Sequence, residues 1–210
     1  MAGEVTSARE RSSSKAENAV RGEVRTIGGV TENGYSQSLK RSILSYEHNQ
    51  RQKKNEAMAF YDDNGNMLGR IQGKGDRVNI RKEDVPGKDL IMTHNHPWAL
   101  SQSGYMRIGS SFSMEDAVLA VKFNAKEIRA VTPTYTFSIK RSGDRWGVTQ
   151  AAVRRAYARA QERVLNEGQD YSDRVGYSNT VNNRYTITYW HKVNKLVAKE
   201  MGWKYTKKKG

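Results

Sequence analysis

The sequence of 210 residues contains no cysteine, which excludes disulfide bonds, thiolate zinc sites and a cysteine nucleophile. It also has no apolar run close to the roughly 20 residues that a membrane-spanning helix needs. The start of the chain, "MAGEVTSARERSSSKAENAV", lacks the apolar middle of a secretory signal. We therefore expect a soluble protein that is not secreted by that route and has no membrane partner. Any metal ion must be held by His, Asp or Glu.

Negative charge is scarce relative to positive charge. The chain has 36 Lys and Arg against 22 Asp and Glu, a net charge of +14. Residues 151–210 alone contain 13 basic and 5 acidic residues, so +8 of this excess lies there. A basic surface favours a polyanionic partner, which predicts binding of nucleic acid or a capsid-type assembly through residues 151–210. The arginines of "RRAYARAQER" also fit a solvated helix face, so both interpretations stay open.

Composition divides the chain into three parts. Residues 1–35 are rich in Ser, Gly, Glu and Arg, which predicts a disordered polar arm. Residues 36–142 alternate helical and strand patterns, as expected for an α/β domain. Residues 143–210 predict a basic helical extension, with two amphipathic helices ended by Gly168 and Gly202 and a solvated end at "KYTKKKG".

The α/β part predicts a surface helix from Ser38 and then a hairpin around "DDNGN", because an Asn-Gly turn between β-prone runs is a strong hairpin signal. "DRVNI" and "DLIMTHNHP" predict further strands, the second ended by Pro97, which cannot donate to a sheet ladder. A helix follows Ser113, and "EIRAVTPTYTFSIKR" predicts one or two strands. His94 and His96 therefore fall at the C-terminal end of a strand.

Three short motifs follow one another in this region: Glu56 at a strand start, His94-x-His96-Pro97 at a later strand end, and Ser113-x-x-Asp116 at a helix start. This order resembles the signature of the JAMM (JAB1/MPN/Mov34) metalloprotease superfamily. The wording "THNHP" is most similar to that of RadC-like proteins and of JAB proteins from phages and mobile elements. The resemblance covers roughly residues 38 to 140. It implies a JAB/MPN-like central mixed β-sheet flanked by helices.

The spacing of the two histidines supports a metal site independently of the resemblance. Residues i and i+2 of a strand point to the same side, so His94 and His96 can reach one ion while Asn95 points away. Asp116, in the first turn of the following helix, can supply the third ligand. Two imidazoles and one carboxylate, with the fourth position left to water, form the ligand set of a catalytic zinc site. We therefore predict Zn²⁺ bound by His94, His96 and Asp116.

The resemblance implies hydrolysis of an amide bond, peptide or isopeptide, in a protein or peptide substrate. Glu56 would act as general base toward a metal-bound water and deliver the proton to the leaving amine. Ser113 would donate a hydrogen bond to the oxyanion of the tetrahedral intermediate. The resemblance also implies a bacterial or phage protein, located in the cytoplasm of the bacterial host cell or associated with the virion.

Two features keep other interpretations open. Ser113-x-x-Asp116 before an apolar run is also close to a capping box, which would only satisfy the free amides of the helix start. Residues 98–112 form a longer link than the family pattern has, which fits either a mobile flap over a substrate groove or an insertion that distorts the site. The alternative to an enzyme is a non-enzymatic phage structural or accessory protein with a JAB-like fold that binds DNA or a partner through its basic tail.

The remaining acids and histidines are weaker candidates. Glu47 belongs to the first helix and Glu83 to a loop after "VNI", so neither is expected to be the base. His48 lies in a polar helix, and His191 lies in a tail helix beside Trp190, where a packing role is more common. We therefore expect neither histidine to bind the metal.

Overall fold

The hydrophobic pattern of the chain produces a mixed β-sheet with helices on both of its faces. The structure, a computed structural model, describes residues 35–97, 111–175 and 179–210, without the side chains of residues 170–187. The chain divides into two units, Met1–Gln37 and Ser38–Gly210, and the second contains the sheet. The predicted polar arm lies outside the described residues apart from Tyr35, and so do residues 98–110 of the predicted flap.

The described residues contain six strands and four α-helices. The strands are β1 (Ala57–Tyr61), β2 (Met67–Gln72), β3 (Ile91–Asn95), β4 (Glu127–Val131), β5 (Tyr135–Lys140) and β6 (Lys204–Lys209). The helices are α1 (Gln37–Gln50), α2 (Met114–Lys122), α3 (Gln150–Val175) and α4 (Asn179–Met201), with a short 3-10 turn at Lys82–Asp84. The sheet order is β2-β1-β3-β4-β5-β6, and only β3 and β4 run parallel. The predicted α/β class with a mixed, helix-flanked sheet is thus confirmed.

The hairpin around "DDNGN" forms as predicted, with β1 and β2 antiparallel. The Asp62 carboxylate closes the turn by accepting hydrogen bonds from the N–H groups of Asn64 and Asn66, both at 2.9 Å. Gly65 has a φ of 91°, and a Cβ there would lie 2.6 Å from the backbone nitrogen of Leu39 in α1. The turn therefore needs glycine both for its conformation and for the close approach of the helix.

The segment after β2 differs from the prediction, because "DRVNI" forms no strand. The segment makes only an isolated bridge between Lys74 and Arg77. Here the chain folds back tightly on itself: a Cβ on Gly73 would lie 2.2 Å from the Arg77 carbonyl oxygen and 2.8 Å from that of Glu56. The chain reverses between Lys74 and Arg77, and Gly73 and Gly75 hydrogen-bond with Glu56 instead of continuing the sheet, so the prediction of a strand was wrong.

Two predictions for the C-terminal part are also wrong. Gly168 does not end its helix, since α3 continues to Val175; one glycine costs a helix only about 1 kcal/mol. "KYTKKKG" is not a solvated end, because β6 pairs with β5 from Lys140↔Lys204 to Tyr135↔Lys209. By contrast, α4 ends at Met201 before Gly202, which has a φ of 68°, as its predicted cap requires.

The C-terminal helices bury their apolar faces against the same side of the sheet as α2. The buried cluster combines helix and sheet residues, including Val153, Tyr157, Val164, Val193, Val197, Ile128, Phe137 and Ile139. Each such side chain stabilises the fold by about 1.5 to 3 kcal/mol when fully buried. Residues 150–203 therefore help to build the core that supports β3 and β4. None of the helices in the described ranges is long and apolar enough to cross a membrane.

The other face of the sheet carries α1 and a buried ion-pair network. Glu47 is 1% exposed and accepts hydrogen bonds from Arg129 Nε at 2.6 Å and from Thr93 Oγ1 at 2.9 Å. Arg129 also donates to Glu127 at 2.9 Å. Thr93 and Arg129 are partners across β3 and β4, so this network lies on the face opposite to the neighbouring His94.

Candidate metal centre

The two predicted histidines converge at the end of β3. His94 is fully buried and pairs with Met58 in β1 and with Ala130 in β4. The N–H of His96 donates to the Val131 carbonyl at 2.8 Å, which extends the ladder one residue beyond the strand. Alternate residues of an extended chain share a face, and the two Nε2 atoms lie 2.8 Å apart. Both imidazoles thus face one point, as the spacing predicts.

The start of α2 brings a carboxylate to the same point. Ser113 is the N-cap, and its backbone N–H and Oγ–H donate to Asp116 Oδ2 at 2.7 and 2.8 Å. Asp116 Oδ1 lies 3.2 Å from His94 Nε2, and Oδ2 lies 3.6 Å from His96 Nε2. The capping box and the contact with the imidazoles therefore coexist, because the cap itself orients the Asp116 side chain.

Glu56 approaches the histidines from β1. It immediately precedes Ala57 and lies two residues before Met58, the cross-strand partner of His94, so its side chain is on the face of His94. Its Oε1 lies 3.9 Å from His94 Nε2. One donor atom each from Glu56, His94 and His96 lie within 4.8 Å of one another, a group that could hold a metal ion.

The two carboxylates have opposite pKa shifts. Burial raises the pKa of Glu56, and the neighbouring His94 and His96 offset only part of this rise. Burial also acts to raise the pKa of Asp116, but the same two imidazoles lower it more strongly, so it lies well below its usual range. The two carboxylates therefore differ: the imidazoles favour the ionised form of Asp116, whereas burial disfavours the charge of Glu56.

The donor set of nitrogen and carboxylate oxygen suits Zn²⁺. The Nε2 atoms of His94 and His96 and the carboxylate of Asp116 would hold the ion, since these atoms lie close to one another. His94 Nδ1 is buried and has no hydrogen-bond partner within the described ranges. A metal-bound imidazole usually donates this N–H to a carboxylate or carbonyl, so the second shell of His94 is incomplete in the described part of the chain.

The weaker candidates lie away from this point or have other partners. Glu47 is held by Arg129 on the opposite face of the sheet. Glu83 forms an exposed ion pair with Arg81 in the 3-10 turn. His48 is exposed on α1. These placements agree with the low rank that the sequence assigned to all three.

A buried hydrogen-bond network behind the site was not predicted from the sequence. Asn194 in α4 is fully buried and donates to the Phe112 carbonyl at 2.8 Å and to the Trp190 carbonyl at 2.7 Å. It also accepts a hydrogen bond from the Tyr157 hydroxyl in α3. Phe112 precedes the N-cap Ser113, and its ring lies 6.2 Å from that of His94. The C-terminal helices thus hold the chain that leads into the site.

β6 extends this network to the edge of the sheet. The Tyr205 hydroxyl lies 2.9 Å from Ser111 Oγ and 2.8 Å from His191 Nδ1. His191 therefore has a partner remote from His94, which agrees with its exclusion as a ligand. No local pattern links Ser111 to Tyr205, which lies 94 residues further along the chain.

Asn194→Leu is expected to lower the free energy of unfolding by roughly 3 kcal/mol, because it leaves the buried Tyr157 hydroxyl and the Phe112 carbonyl without their partner. Urea unfolding of the metal-free protein measures this. The exposed Asn49→Leu is the matched control, with an expected change below about 0.5 kcal/mol. Equal stability of the two variants would show that the network contributes little.

The structure thus brings Glu56, His94, His96 and Asp116 together at one buried point, with Ser113 bonded to Asp116 beside it. Ser111 and Phe112, the last two residues of the predicted flap, are both buried. Comparison of the chain with protein-family models, with curated proteins and with solved structures found no match.

Proposed function

We propose that this protein is a zinc-dependent hydrolase of JAMM type that cleaves a peptide or isopeptide bond. The observation that carries the proposal is the convergence of two imidazole Nε2 atoms, 2.8 Å apart, with the carboxylates of Asp116 and Glu56. These residues come from three separate motifs in the order that resembles the JAMM signature. A bacterial or phage setting is part of the same proposal.

In this proposal His94, His96 and Asp116 hold Zn²⁺, since their donor atoms are the closest set and Asp116 stays ionised. The bound ion would supply an activated water at neutral pH and polarise the substrate carbonyl. Glu56 would accept the proton of the attacking water and pass it to the leaving amine. Burial raises the pKa of Glu56 above its ordinary value, which is the direction that favours a proton acceptor.

Ser113 has a double role in the proposal. Its hydroxyl has one hydrogen, which is donated to Asp116 Oδ2 at 2.8 Å. To stabilise an oxyanion, this hydrogen must rotate away from Asp116. The Ser113 backbone N–H, at 2.7 Å from the same oxygen, would continue to hold Asp116 while the hydroxyl rotates.

A non-enzymatic phage structural or accessory protein that binds DNA through residues 151–210 is the second candidate. The exposed lysines Lys204, Lys208 and Lys209 on β6 favour it. However, three arginines of α3 are already paired with glutamates: Arg154 with Glu115, Arg159 with Glu200, and Arg163 with Glu167. Paired arginines attract phosphate less strongly. The hydrolase proposal therefore has the more specific support.

Glu56→Gln tests the proposal. We expect it to lower kcat/KM by about 100-fold or more on a mixed-sequence library of quenched fluorescent peptides and isopeptides, because general-base catalysis is lost. Zinc content, measured by mass spectrometry of the dialysed protein, should stay at one ion per chain. The variant should remain folded: the pKa of Glu56 is raised by burial, so its ionised form costs stability at neutral pH, and glutamine carries no charge.

Glu83→Gln is the matched control, because Glu83 is exposed and its carboxylate pairs with Arg81 rather than with the histidines. It should leave both hydrolysis and zinc content unchanged. Retained hydrolysis in Glu56→Gln would show that another group is the base. A wild-type protein that binds zinc but cleaves no member of the library would favour the non-enzymatic candidate instead.

A further inference from the structure

Asn95 lies between the two proposed zinc ligands, yet its side chain contacts a different part of the chain. It is the last residue of β3 and is 1% exposed. Its Oδ1 accepts a hydrogen bond from the Ala57 N–H at 2.8 Å, and its Nδ2 donates to the Asn55 carbonyl at 3.1 Å. These two contacts are made to the residues on either side of Glu56.

We propose that Asn95 is a positioning residue that fixes Glu56 relative to His94 and His96. This inference rests on the proposed function, in which Glu56 is the general base. The pairing of β1 with β3 ends at Met58↔His94, two residues short of Glu56. The side-chain amide of Asn95 takes the place of the next backbone pairing between β1 and β3. The same end of β3 therefore carries the proposed zinc ligands and holds the proposed general base.

The other side of Glu56 is held by the chain that leaves β2. Its N–H donates to the Gly75 carbonyl at 2.7 Å, and its carbonyl accepts from the Gly73 N–H at 2.8 Å. Asn95 is therefore the connection on the β3 side, and no other hydrogen bond from β3 to residues 55–57 is present within the described ranges. Without it, Glu56 would be tied to the β2 side alone.

The role requires an amide. The side chain must offer an acceptor to Ala57 and a donor to Asn55 at the same time, and asparagine has both on one short stem. An aspartate would keep the acceptor but lose the donor, and it would place a charge in a buried position. A leucine has the same number and branching of side-chain heavy atoms, is somewhat larger, and loses both.

The test combines hydrogen exchange with kinetics. In the metal-free protein, Asn95→Leu should speed exchange of the Ala57 amide about tenfold, as the loss of one hydrogen bond predicts, and should also speed exchange at Glu56. With zinc, it should lower kcat on the peptide library about 100-fold, with KM and zinc content nearly unchanged, because displacement of a catalytic group by about 1 Å has an effect of this size. Asn95→Asp keeps the acceptor, so it should retain most of the protection of the Ala57 amide from hydrogen exchange. This variant replaces Asn95→Leu in the test if the leucine variant does not fold.

Two comparisons make the role specific. Thr93→Val removes a buried hydrogen bond of the same strand to Glu47, on the face opposite to His94, and it should leave exchange at residues 56 and 57 and kcat unchanged. In a Glu56→Gln background, Asn95→Leu should cause no further loss of rate, because a positioning residue acts through the group it positions. Unchanged exchange at Ala57, or a further loss of rate in the double variant, would overturn the inference. If the wild type cleaves nothing, the proposed function fails while the exchange data still decide whether Asn95 anchors Glu56.

Discussion

Replacement of both His94 and His96 by alanine is expected to abolish zinc binding by this protein. The change removes the two nitrogen donors, whose Nε2 atoms lie 2.8 Å apart, and leaves only carboxylates, which do not form a zinc site of comparable affinity. Equilibrium dialysis followed by metal analysis should give one zinc per wild-type chain and none per variant chain. Thermal unfolding is a second measure. Zinc at 100 times its Kd should stabilise the wild type by about 2.7 kcal/mol and should leave the unfolding temperature of the variant unchanged.

His48→Ala is the control, since His48 is exposed on α1 and is not among the residues that converge at the site. It should bind zinc as the wild type does. A wild-type protein without stoichiometric zinc would exclude both the hydrolase proposal and a metal-stabilised scaffold. Zinc retained by the double variant would mean that the ion binds elsewhere in the chain.

Arg129→Met is expected to lower the free energy of unfolding by about 3 to 5 kcal/mol, the usual cost of leaving a buried charge without its partner. Glu47 is 1% exposed and is held by two guanidinium nitrogens of Arg129, at 2.6 and 3.0 Å. Burial acts to lower the pKa of Arg129, but Glu47 and Glu127 raise it above its ordinary value, so the arginine stays charged. Urea unfolding at neutral pH measures the loss.

A second substitution separates the charge effect from packing. Glu47→Leu combined with Arg129→Met should recover a large part of the stability, because a buried ion pair can often be replaced by apolar side chains of similar volume. Arg163→Met is the control: it breaks an exposed pair with Glu167 and should cost about 0.5 kcal/mol or less. A loss below about 1 kcal/mol for Arg129→Met would show that Glu47 is not dependent on this partner.

Several elements could be predicted because their signals are local. The turn "DDNGN", the end of β3 just before Pro97 and the cap of α2 at Ser113 each depend on residues within a few positions of one another. The expectation that His94 and His96 face the same point also needs only the alternation of an extended chain. Their Nε2 separation of 2.8 Å agrees with it.

The predictions that were wrong concern segments whose structure is set by distant parts of the chain rather than by the local sequence preference for helix, strand or loop. The lysine-rich end becomes β6 because the open edge of β5 accepts its backbone and because Lys207 lies 4.1 Å from the ring centre of Tyr135. "DRVNI" loses its predicted strand to the reversal at Gly73, whose Cα leaves no room for a side chain beside the Arg77 and Glu56 carbonyls. The pairing of β6 with β5 and the hydrogen bonds of Gly73 and Gly75 with Glu56 join residues more than ten positions apart, so a window of ten residues does not contain them.

By itself, the sequence determined the donor types, their order and the faces they occupy, because side-chain chemistry and strand periodicity are local properties. Only the tertiary structure decided that Asp116 lies 3.2 Å from His94, that Glu56 is anchored through Asn95, and that Asn194 holds the approach to Ser113. These contacts join residues dozens of positions apart, and their geometry is set by how the helices and strands pack. The arrangement of side chains in a site a few ångströms across depends on that packing, and the packing cannot be read directly from the order of the residues.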